Sequence, residues 1–283
     1  MKTVVSRDNA ALKAARKLAS KSGRDKAGAF LLEGAKLIGE AYRAGLTVER
    51  VFVKAGSTDA LKGLPAGLAD GIGEDHLTLL TEGLFDELSS TVTPQPLLAV
   101  VRKPARLDMP AGGAGAIAAA AGAAANAAGK DVSALSILVL DRIADPGNVG
   151  TAIRTALAAG FDMAVSIRGT ADIWSDKVIR GAAGSLFLLP AAEGVSAEDC
   201  AGFVSGAGIP LVVCSAGGES CYGMNLRGGL ALVIGNESNG PAPVFIEKAD
   251  RVIGVPMAGT VESLNAAVAA AVVMYEKVRQ EQG

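Results

Sequence analysis

The sequence predicts an α/β protein made of two folded units with a linker between them. Apolar runs typical of strands alternate with helical patterns before residue 105 and again after residue 134. The tract between them is rich in Ala and Gly and poor in large apolar side chains, which favours a linker or insertion. Alternating strands and helices are typical of a sheet covered by helices. We therefore expect an α/β domain at 1–108, a linker at 109–134 and a second α/β domain at 135–283.

The first unit is predicted to be a small α/β module. Its opening helix has Leu12, Ala15 and Leu18 on one side and basic residues on the other. In chain order the predicted elements are a helix at 8–21, a strand and helix at 30–45, a strand at 48–53, a strand and helix in LTLLTEGLFDELS, and a strand at 96–104.

The second unit is predicted to be an open parallel sheet with helices on both faces. Its first strand, ILVLDRI at 137–143, is apolar almost throughout, as expected for a strand buried on both faces. Further elements are predicted as strands at 164–167, 186–190, 210–216, 230–236 and 251–257, and a last helix at 264–280. Sheets of this type bind ligands at the carboxyl ends of their strands.

Charge is distributed unevenly along the chain. The net charge is −2, yet residues 1–54 carry twelve Lys and Arg against five Asp and Glu, a local balance of +7. A basic segment on an acidic body is expected where one part of a protein binds phosphates. A basic helix face that is merely solvated explains the charge equally well.

Composition excludes several kinds of site. The three cysteines and the single His76 show no CxxC or HxxxH spacing, so we expect no metal site and no disulfide framework. A Ser-His-Asp triad would have to use His76, which lies in a polar loop. No apolar run reaches the length of about 18 residues needed to cross a membrane, and the N-terminus lacks the apolar core of a signal peptide. We expect a cytoplasmic protein with no membrane partner.

Three strand ends in the second unit share one character: an apolar run stops at Gly, Asn, Glu or Ser. They are LDRIADPGNVGTAIRT, LVIGNESNGPAP and VIGVPMAGTVESLNAAVAAAV. The first has neither the G-x-G-x-x-G spacing of dinucleotide-binding proteins nor that of a P-loop, which disfavours a Rossmann-type oxidoreductase.

These blocks, in this order, resemble the three motifs of the SpoU (TrmH-like) branch of the SPOUT RNA methyltransferases. KVIRGAAGSLFLLP resembles the segment between the first two motifs, and RDKAGAFLLEGAKLIGEAYRAGLTVERVFV resembles the ribosomal-protein-like substrate-binding domain that often precedes them. The resemblance implies transfer of a methyl group from S-adenosylmethionine to a ribose 2′-hydroxyl of RNA. It also implies a trefoil-knot catalytic domain with a parallel sheet, and a homodimer to whose interface the C-terminal helix contributes. The basic N-terminal module favours rRNA over tRNA, and a catalytically inactive RNA-binding protein is the alternative of another class.

The resemblance assigns catalytic positions to the three motifs: Arg154, Asn148, Glu237, Ser263 and Asn265. A guanidinium near a helix start can bind the phosphate flanking the target ribose. Because the pKa of arginine is above about 12, we expect Arg154 to act mainly by positioning and electrostatic stabilisation. The plainer interpretation of Arg154 is an exposed helix residue paired with Asp141 or Glu237. For Asn148 and Ser263 it is a helix N-cap.

The remaining assignments concern the cofactor and RNA. The predicted cofactor-binding positions are Gly235, Val255, Leu264, Met257, Ser215, Ala216, Gly217, Ile234 and Asn236. At Gly235 we expect the missing side chain to let the cofactor approach the main chain closely. The residues expected to contact RNA are Lys13, Arg16, Lys17, Arg24 and Lys36.

Overall fold

A computed structural model describes residues 3–104, 113–259 and 263–283 of the chain. The chain divides into two units, one of residues 1–105 with Trp174–Asp176 and one of residues 106–173 with 177–283. None of the helices in the described ranges combines the length and the apolar character needed to cross a membrane.

The first unit contains a mixed five-stranded sheet. Its strands are β1 (Thr3–Val4), β2 (Ala29–Glu33), β3 (Val48–Lys54), β4 (Leu77–Leu80) and β5 (Leu97–Arg102), in the order β1-β4-β3-β5-β2. Strand β5 is antiparallel to both neighbours, and the other pairs are parallel. The helices are α1 (Ala10–Lys17), α2 (Lys21–Ala27), α3 (Ala35–Arg43), α4 (Ala66–Gly71) and α5 (Glu82–Asp86). The predicted α/β module is confirmed.

The helix predicted at 8–21 is in fact two helices. Helix α1 ends at Lys17, and Ser20 caps α2 by accepting a hydrogen bond from the Gly23 N–H at 3.1 Å. The chain turns so tightly here that a Cβ at position 23 would lie 1.8 Å from the Lys17 carbonyl oxygen. The apolar side predicted for α1 is correct, since Leu12 and Ala15 pack into a core with Phe52 and other residues.

The second unit contains a six-stranded sheet in which all pairs are parallel. Its strands are β6 (Ser136–Leu140), β7 (Met163–Ile167), β8 (Ala191–Val195), β9 (Leu211–Ser220), β10 (Leu230–Ile234) and β11 (Arg251–Gly254), in the order β11-β9-β10-β6-β7-β8. The helices are α6 (Ala114–Ala128), α7 (Pro146–Ala158), α8 (Asp176–Ala182), α9 (Ala197–Gly206), α10 (Pro243–Glu247) and α11 (Ala266–Gln282). The chain winds outward from β6 in one direction through β7 and β8, then returns to build the other half, so a switch point lies between β6 and β10.

The strand predicted at 186–190 is wrong. Ser185–Phe187 form a 3₁₀ turn, and β8 begins only after Pro190. Gly184 precedes the turn with a positive φ of 80°, which redirects the chain. Leu186 and Phe187 are buried within the turn, so this apolar run reflects burial rather than extended backbone.

The linker predicted at 109–134 is wrong over Ala114–Ala128, which form helix α6. Ile117, Ala121 and Ala124 are buried in the main core of the second unit, and α6 contacts β7, β8 and α9. Alanine has the highest helix propensity, and its small side chain allows a helix to approach a sheet closely. Positions 109–112 lie outside the described residues, and the domain boundary at 108 stays a prediction.

Candidate active site

A cavity of about 260 Å³ lies at the carboxyl end of β10, beside the middle of β9. Residues 214–216 within β9, the turns after β10 and β11 and the start of α11 all contribute to it. The lining residues are Cys214, Ser215, Ala216, Ile234, Gly235, Asn236, Glu237, Ser238, Gly240, Pro241, Val255, Met257, Ser263, Leu264, Ala266 and Ala269. Residues far apart in sequence therefore meet here because parallel strands end at the same edge of the sheet.

Every position predicted to bind the cofactor lines this cavity except Gly217. Gly217 lies within β9 at a positive φ of 82°, where the register of β9 against β11 shifts, so this irregularity of the strand favours glycine. The lining also includes residues that sequence reasoning missed, among them the half-buried Cys214. Burial raises the pKa of the Cys214 thiol to about 11, so the thiol is neutral near pH 7 and forms part of the apolar wall.

Gly235 was predicted to be glycine so that the cofactor could approach the main chain, but the structure gives another reason, the close packing of the following loop. A Cβ at this position would lie 2.4 Å from the Pro241 nitrogen and 2.7 Å from the Gly240 carbonyl carbon. The chain at 235–242, hereafter the 235–242 loop, folds back on itself so closely that only glycine fits. The close approach at Gly235 is thus made by the main chain of the loop itself.

Asn148, Glu237 and Asn265 form a chain of side-chain hydrogen bonds at the cavity. Asn148 Nδ2 donates to Glu237 Oε1 at 2.8 Å, and Asn265 Nδ2 donates to Asn148 Oδ1 at 2.8 Å. Asn265 Oδ1 in turn accepts from the main-chain N–H groups of Ala267 and Val268. Because a carboxylate only accepts and an N–H only donates, both amide orientations are fixed by chemistry. These hydrogen bonds therefore join the three predicted motifs.

The helix caps differ from those expected. Asp145 caps α7 by accepting from the Asn148 N–H at 2.8 Å, so Asn148 is not the cap and its side chain is free for Glu237. Asn265, rather than Ser263, caps α11. Ser263 lies in the cavity lining with its residue exposed.

Arg154 lies on α7, outside the cavity lining, with its residue exposed. The plainer pairing with Asp141 or Glu237 is wrong, because Asp141 binds Arg142 and Glu237 accepts from Asn148. Within the described parts of the chain, no hydrogen bond or ion pair involves the Arg154 guanidinium. Helix α7 packs against α11, so Arg154 lies on the helical layer that flanks the cavity.

Sequence reasoning named Asp141 only as a partner for Arg154 and missed Arg142; both residues directly follow β6. Asp141 is completely buried, and Arg142 Nε and Nη2 donate to its carboxylate at 3.0 and 3.1 Å. The hydrogen bond to Asp141 raises the pKa of Arg142 above its ordinary value. The available signal was a charged pair placed directly after an apolar strand.

The basic residues predicted to contact RNA differ in whether their charge is already paired. Lys17 and Lys36 are exposed and have no ion pair within the described residues, whereas Lys13 pairs with Asp8 and Arg16 with Glu87. Exposed Lys26, which was not predicted, also has no ion pair there.

Arg24 is not positioned to contact RNA. It is 7% exposed, and its Nη1 donates to the carbonyl oxygens of Leu18 and Ala19 at 2.7 and 3.0 Å. Arg24 therefore satisfies the carbonyl groups that follow α1.

A cavity at the carboxyl edge of a parallel sheet, bordered by polar turns, places the second unit in the class of α/β proteins that bind a ligand where their strands end. Residues 136–275 match the model of the SpoU rRNA methylase family, and residues 9–99 match an MRM3-like substrate binding domain. The chain is 33% identical over 288 residues to the 23S rRNA (guanosine(2553)-2′-O)-methyltransferase RlmP of Bacillus subtilis, covering 97% of this chain and 98% of that protein. The chain belongs to the SpoU methyltransferase family.

Solved structures agree along the whole chain. The SpoU methyltransferase AviRb from Streptomyces viridochromogenes, in complex with AdoMet, has a TM-score of 0.78 at 26% identity, over 97% of this chain and 99% of that one. The AdoMet-bound rRNA methyltransferase from Sinorhizobium meliloti has a TM-score of 0.76 at 26% identity, over 98% and 97% of the two chains. The fold class predicted from sequence, a small α/β substrate-binding domain followed by a SPOUT α/β domain, is confirmed.

Proposed function

We propose that this protein methylates the 2′-hydroxyl of a ribose in 23S rRNA, with S-adenosylmethionine as the methyl donor. The observation that supports this most directly is a cavity lined by the turns after β10 and β11, with the turn after β6 joined to it through the hydrogen bonds of Asn148 with Glu237 and Asn265. The B. subtilis relative, which matches nearly the whole chain, is named for this reaction on a guanosine of 23S rRNA.

The cavity fits the cofactor chemically. Ile234, Val255 and Leu264 provide an apolar lining for a flat adenine ring, while the main chain at Ser215 in β9 and at Gly235 provides polar groups. When bound, S-adenosylmethionine supplies an electrophilic methyl group on its sulfonium.

The polar residues at the cavity orient the acceptor. Asn148 and Asn265 fix the position of Glu237, whose carboxylate, together with the Ser263 hydroxyl, can hold the target ribose. Alignment of the acceptor oxygen with the methyl group is the main requirement of this displacement. In this proposal Asn148 and Asn265 therefore contribute to catalysis by holding Glu237 in one geometry before RNA binds.

Arg154 completes the proposed site from a second copy of the chain. Helix α11, which packs against α7, exposes Val268 and Tyr275 at 49% and 51% of their surface, two helical turns apart on one face. A second copy that covers this face forms a homodimer through the catalytic domain and lies beside Arg154. There the guanidinium can bind the phosphate next to the ribose in the partner's cavity.

The first unit is proposed to hold the RNA. Lys17, Lys26 and Lys36 offer charges that no described residue neutralises, and contacts of this kind supply sequence-independent affinity for phosphates. A cytoplasmic location, where the ribosomal substrate is found in bacteria, is part of the proposal.

The proposal is tested by incubating the protein with labelled S-adenosylmethionine and either 23S rRNA or total tRNA. Digestion and mass spectrometry should reveal one 2′-O-methylated nucleoside in the rRNA, and Asn148→Ala should lose most of the label. Label only in tRNA would overturn the choice of substrate. RNA retention without label in either RNA would indicate a catalytically inactive binding protein.

A further inference from the structure

Arg142 adopts an unusual backbone conformation directly after β6. Its φ is 57°, a left-handed value that residues other than glycine rarely adopt. Its N–H donates to Thr170 Oγ1 at 2.9 Å, and its carbonyl oxygen accepts from Asn236 Nδ2 at 2.8 Å. Strain of this kind persists where the surrounding contacts over-determine it, and it clusters at functional sites. The main chain of Arg142 thus ties the end of β6 to the beginning of the 235–242 loop.

The side chain of Arg142 binds the far end of the same loop. Besides its two bonds to the Asp141 carboxylate, Nη2 donates to the Gly240 carbonyl oxygen at 3.0 Å. Asp141 Oδ2 also accepts from the Ala242 N–H at 2.6 Å. Asp141 and Arg142 therefore hold the loop at Asn236, Gly240 and Ala242 together.

The loop that this pair holds contributes much of the cavity wall. Six of its residues line the cavity, namely Gly235, Asn236, Glu237, Ser238, Gly240 and Pro241. Arg142 itself is not among the lining residues. Any effect of Arg142 on the reaction must therefore pass through the loop.

We infer that Arg142 is a positioning residue for methyl transfer, which fixes the 235–242 loop and so sets both the cofactor wall and the place of Glu237. This inference depends on the proposed function, since it assigns Arg142 to the same cavity. Lysine cannot replace arginine here, because a single ammonium cannot reproduce the planar fork on Asp141 together with the bond to Gly240.

The test compares Arg142→Lys with Lys130→Gln. Lys130 Nζ donates to both oxygens of another buried carboxylate of the second unit, that of Asp162, at 2.8 and 3.1 Å, but neither residue lines the cavity. Binding of S-adenosylmethionine to the full chain is measured by calorimetry, and methylation of rRNA by label incorporation. Thermal unfolding of each variant is recorded without cofactor.

Arg142→Lys should weaken cofactor binding about tenfold, as expected for loss of a charge-assisted hydrogen bond, and should lower kcat further because Glu237 is displaced. Lys130→Gln should leave the dissociation constant and kcat unchanged although it also loses thermal stability. Equal cofactor affinity and kcat in Arg142→Lys and the parent chain would overturn the inference. If the parent chain itself binds no S-adenosylmethionine, the proposed function fails instead.

A second variant applies if Arg142→Lys does not fold. Asp141→Asn combined with Arg142→Gln removes both charges, so no carboxylate is buried alone. It should fold and still bind the cofactor weakly, whereas parent-like binding would contradict the inference.

Discussion

Asn148 and Glu237, 89 positions apart in sequence, are joined by a hydrogen bond of 2.8 Å between the amide Nδ2 and the carboxylate Oε1. The bond links the turn after β6 to the turn after β10, and Asn265 extends it to the start of α11. In this series of hydrogen bonds every donor and acceptor role is fixed, because the main-chain N–H groups of α11 can only donate at one end and the Glu237 carboxylate can only accept at the other. Replacing one donor by an acceptor should therefore disrupt the whole series.

Asn265→Asp makes this reversal while preserving the helix cap. Aspartate caps a helix about as well as asparagine, so we expect the free energy of unfolding to change by less than about 0.5 kcal/mol. The new carboxylate would face Asn148 Oδ1, and turnover should fall about 10- to 100-fold. Steady-state methylation assays and denaturant unfolding check the two expectations. Ser196→Asp, at the cap of α9, is the control. Normal turnover in Asn265→Asp would show that the hydrogen bonds joining Asn265, Asn148 and Glu237 are dispensable for catalysis.

Arg154→Ala should retain its fold and its affinity for S-adenosylmethionine, because the side chain is exposed and outside the cavity. Turnover should fall by about two orders of magnitude or more, since a charged contact to the RNA phosphate would be lost. Calorimetry and single-turnover assays separate the two effects.

Mixing two inactive variants tests whether Arg154 acts across a dimer. A heterodimer of Arg154→Ala and Asn265→Asp has one cavity with an intact polar chain, which faces the intact Arg154 of the other subunit. Random re-association should restore roughly a quarter of the parent activity. No recovery, with dimers demonstrated by light scattering, would place Arg154 in the site of its own chain.

Glu276 predicts a pH dependence of stability. It is buried, and hydrogen bonds from Arg279 and Gln280 lower its pKa to about 2. A lowered pKa in the folded state means that the stabilisation is present above the ordinary pKa of glutamate and is lost as the pH falls toward about 2. Glu276→Gln should therefore be less stable than the parent near pH 7, with the difference shrinking below pH 4 or so. Thermal midpoints measured across this range give the answer, and a constant difference would contradict the assignment.

Helix α6 predicts how the Ala-rich tract responds to larger side chains. Ala121 is 1% exposed against the core, so Ala121→Leu should destabilise the protein by about 1–3 kcal/mol through overpacking. Ala127 is exposed near the end of the same helix, and Ala127→Leu should change stability by less than about 0.5 kcal/mol. Denaturant unfolding distinguishes them, and equal stabilities would mean that the tract behaves as a linker after all.

The three turns could be predicted from sequence because their chemistry is local. Gly235 at the end of an apolar strand and Asn265 before an alanine-rich helix are recognisable without coordinates. Their convergence follows from the parallel sheet, in which every strand of the second unit ends at the same edge. This much of the fold and of the candidate site was accessible before the structure.

The remainder depends on pairings that sequence does not encode locally. Arg24 and Lys17 look alike in the sequence, yet one is buried on carbonyl groups and the other is exposed. Arg142 acts on residues almost a hundred positions away, and α6 folds because its small side chains fit the space above β7 and β8. Only the tertiary arrangement distinguishes these cases.

The tight fold of the 235–242 loop has a consequence for redesign of the cavity. Because the loop main chain occupies the space that a side chain at 235 would need, this wall offers no room for substitution there. Acceptance of enlarged cofactor analogues is better sought at Cys214, Val255 and Met257, which line the cavity from outside this loop. Redesign for new donors therefore begins away from position 235.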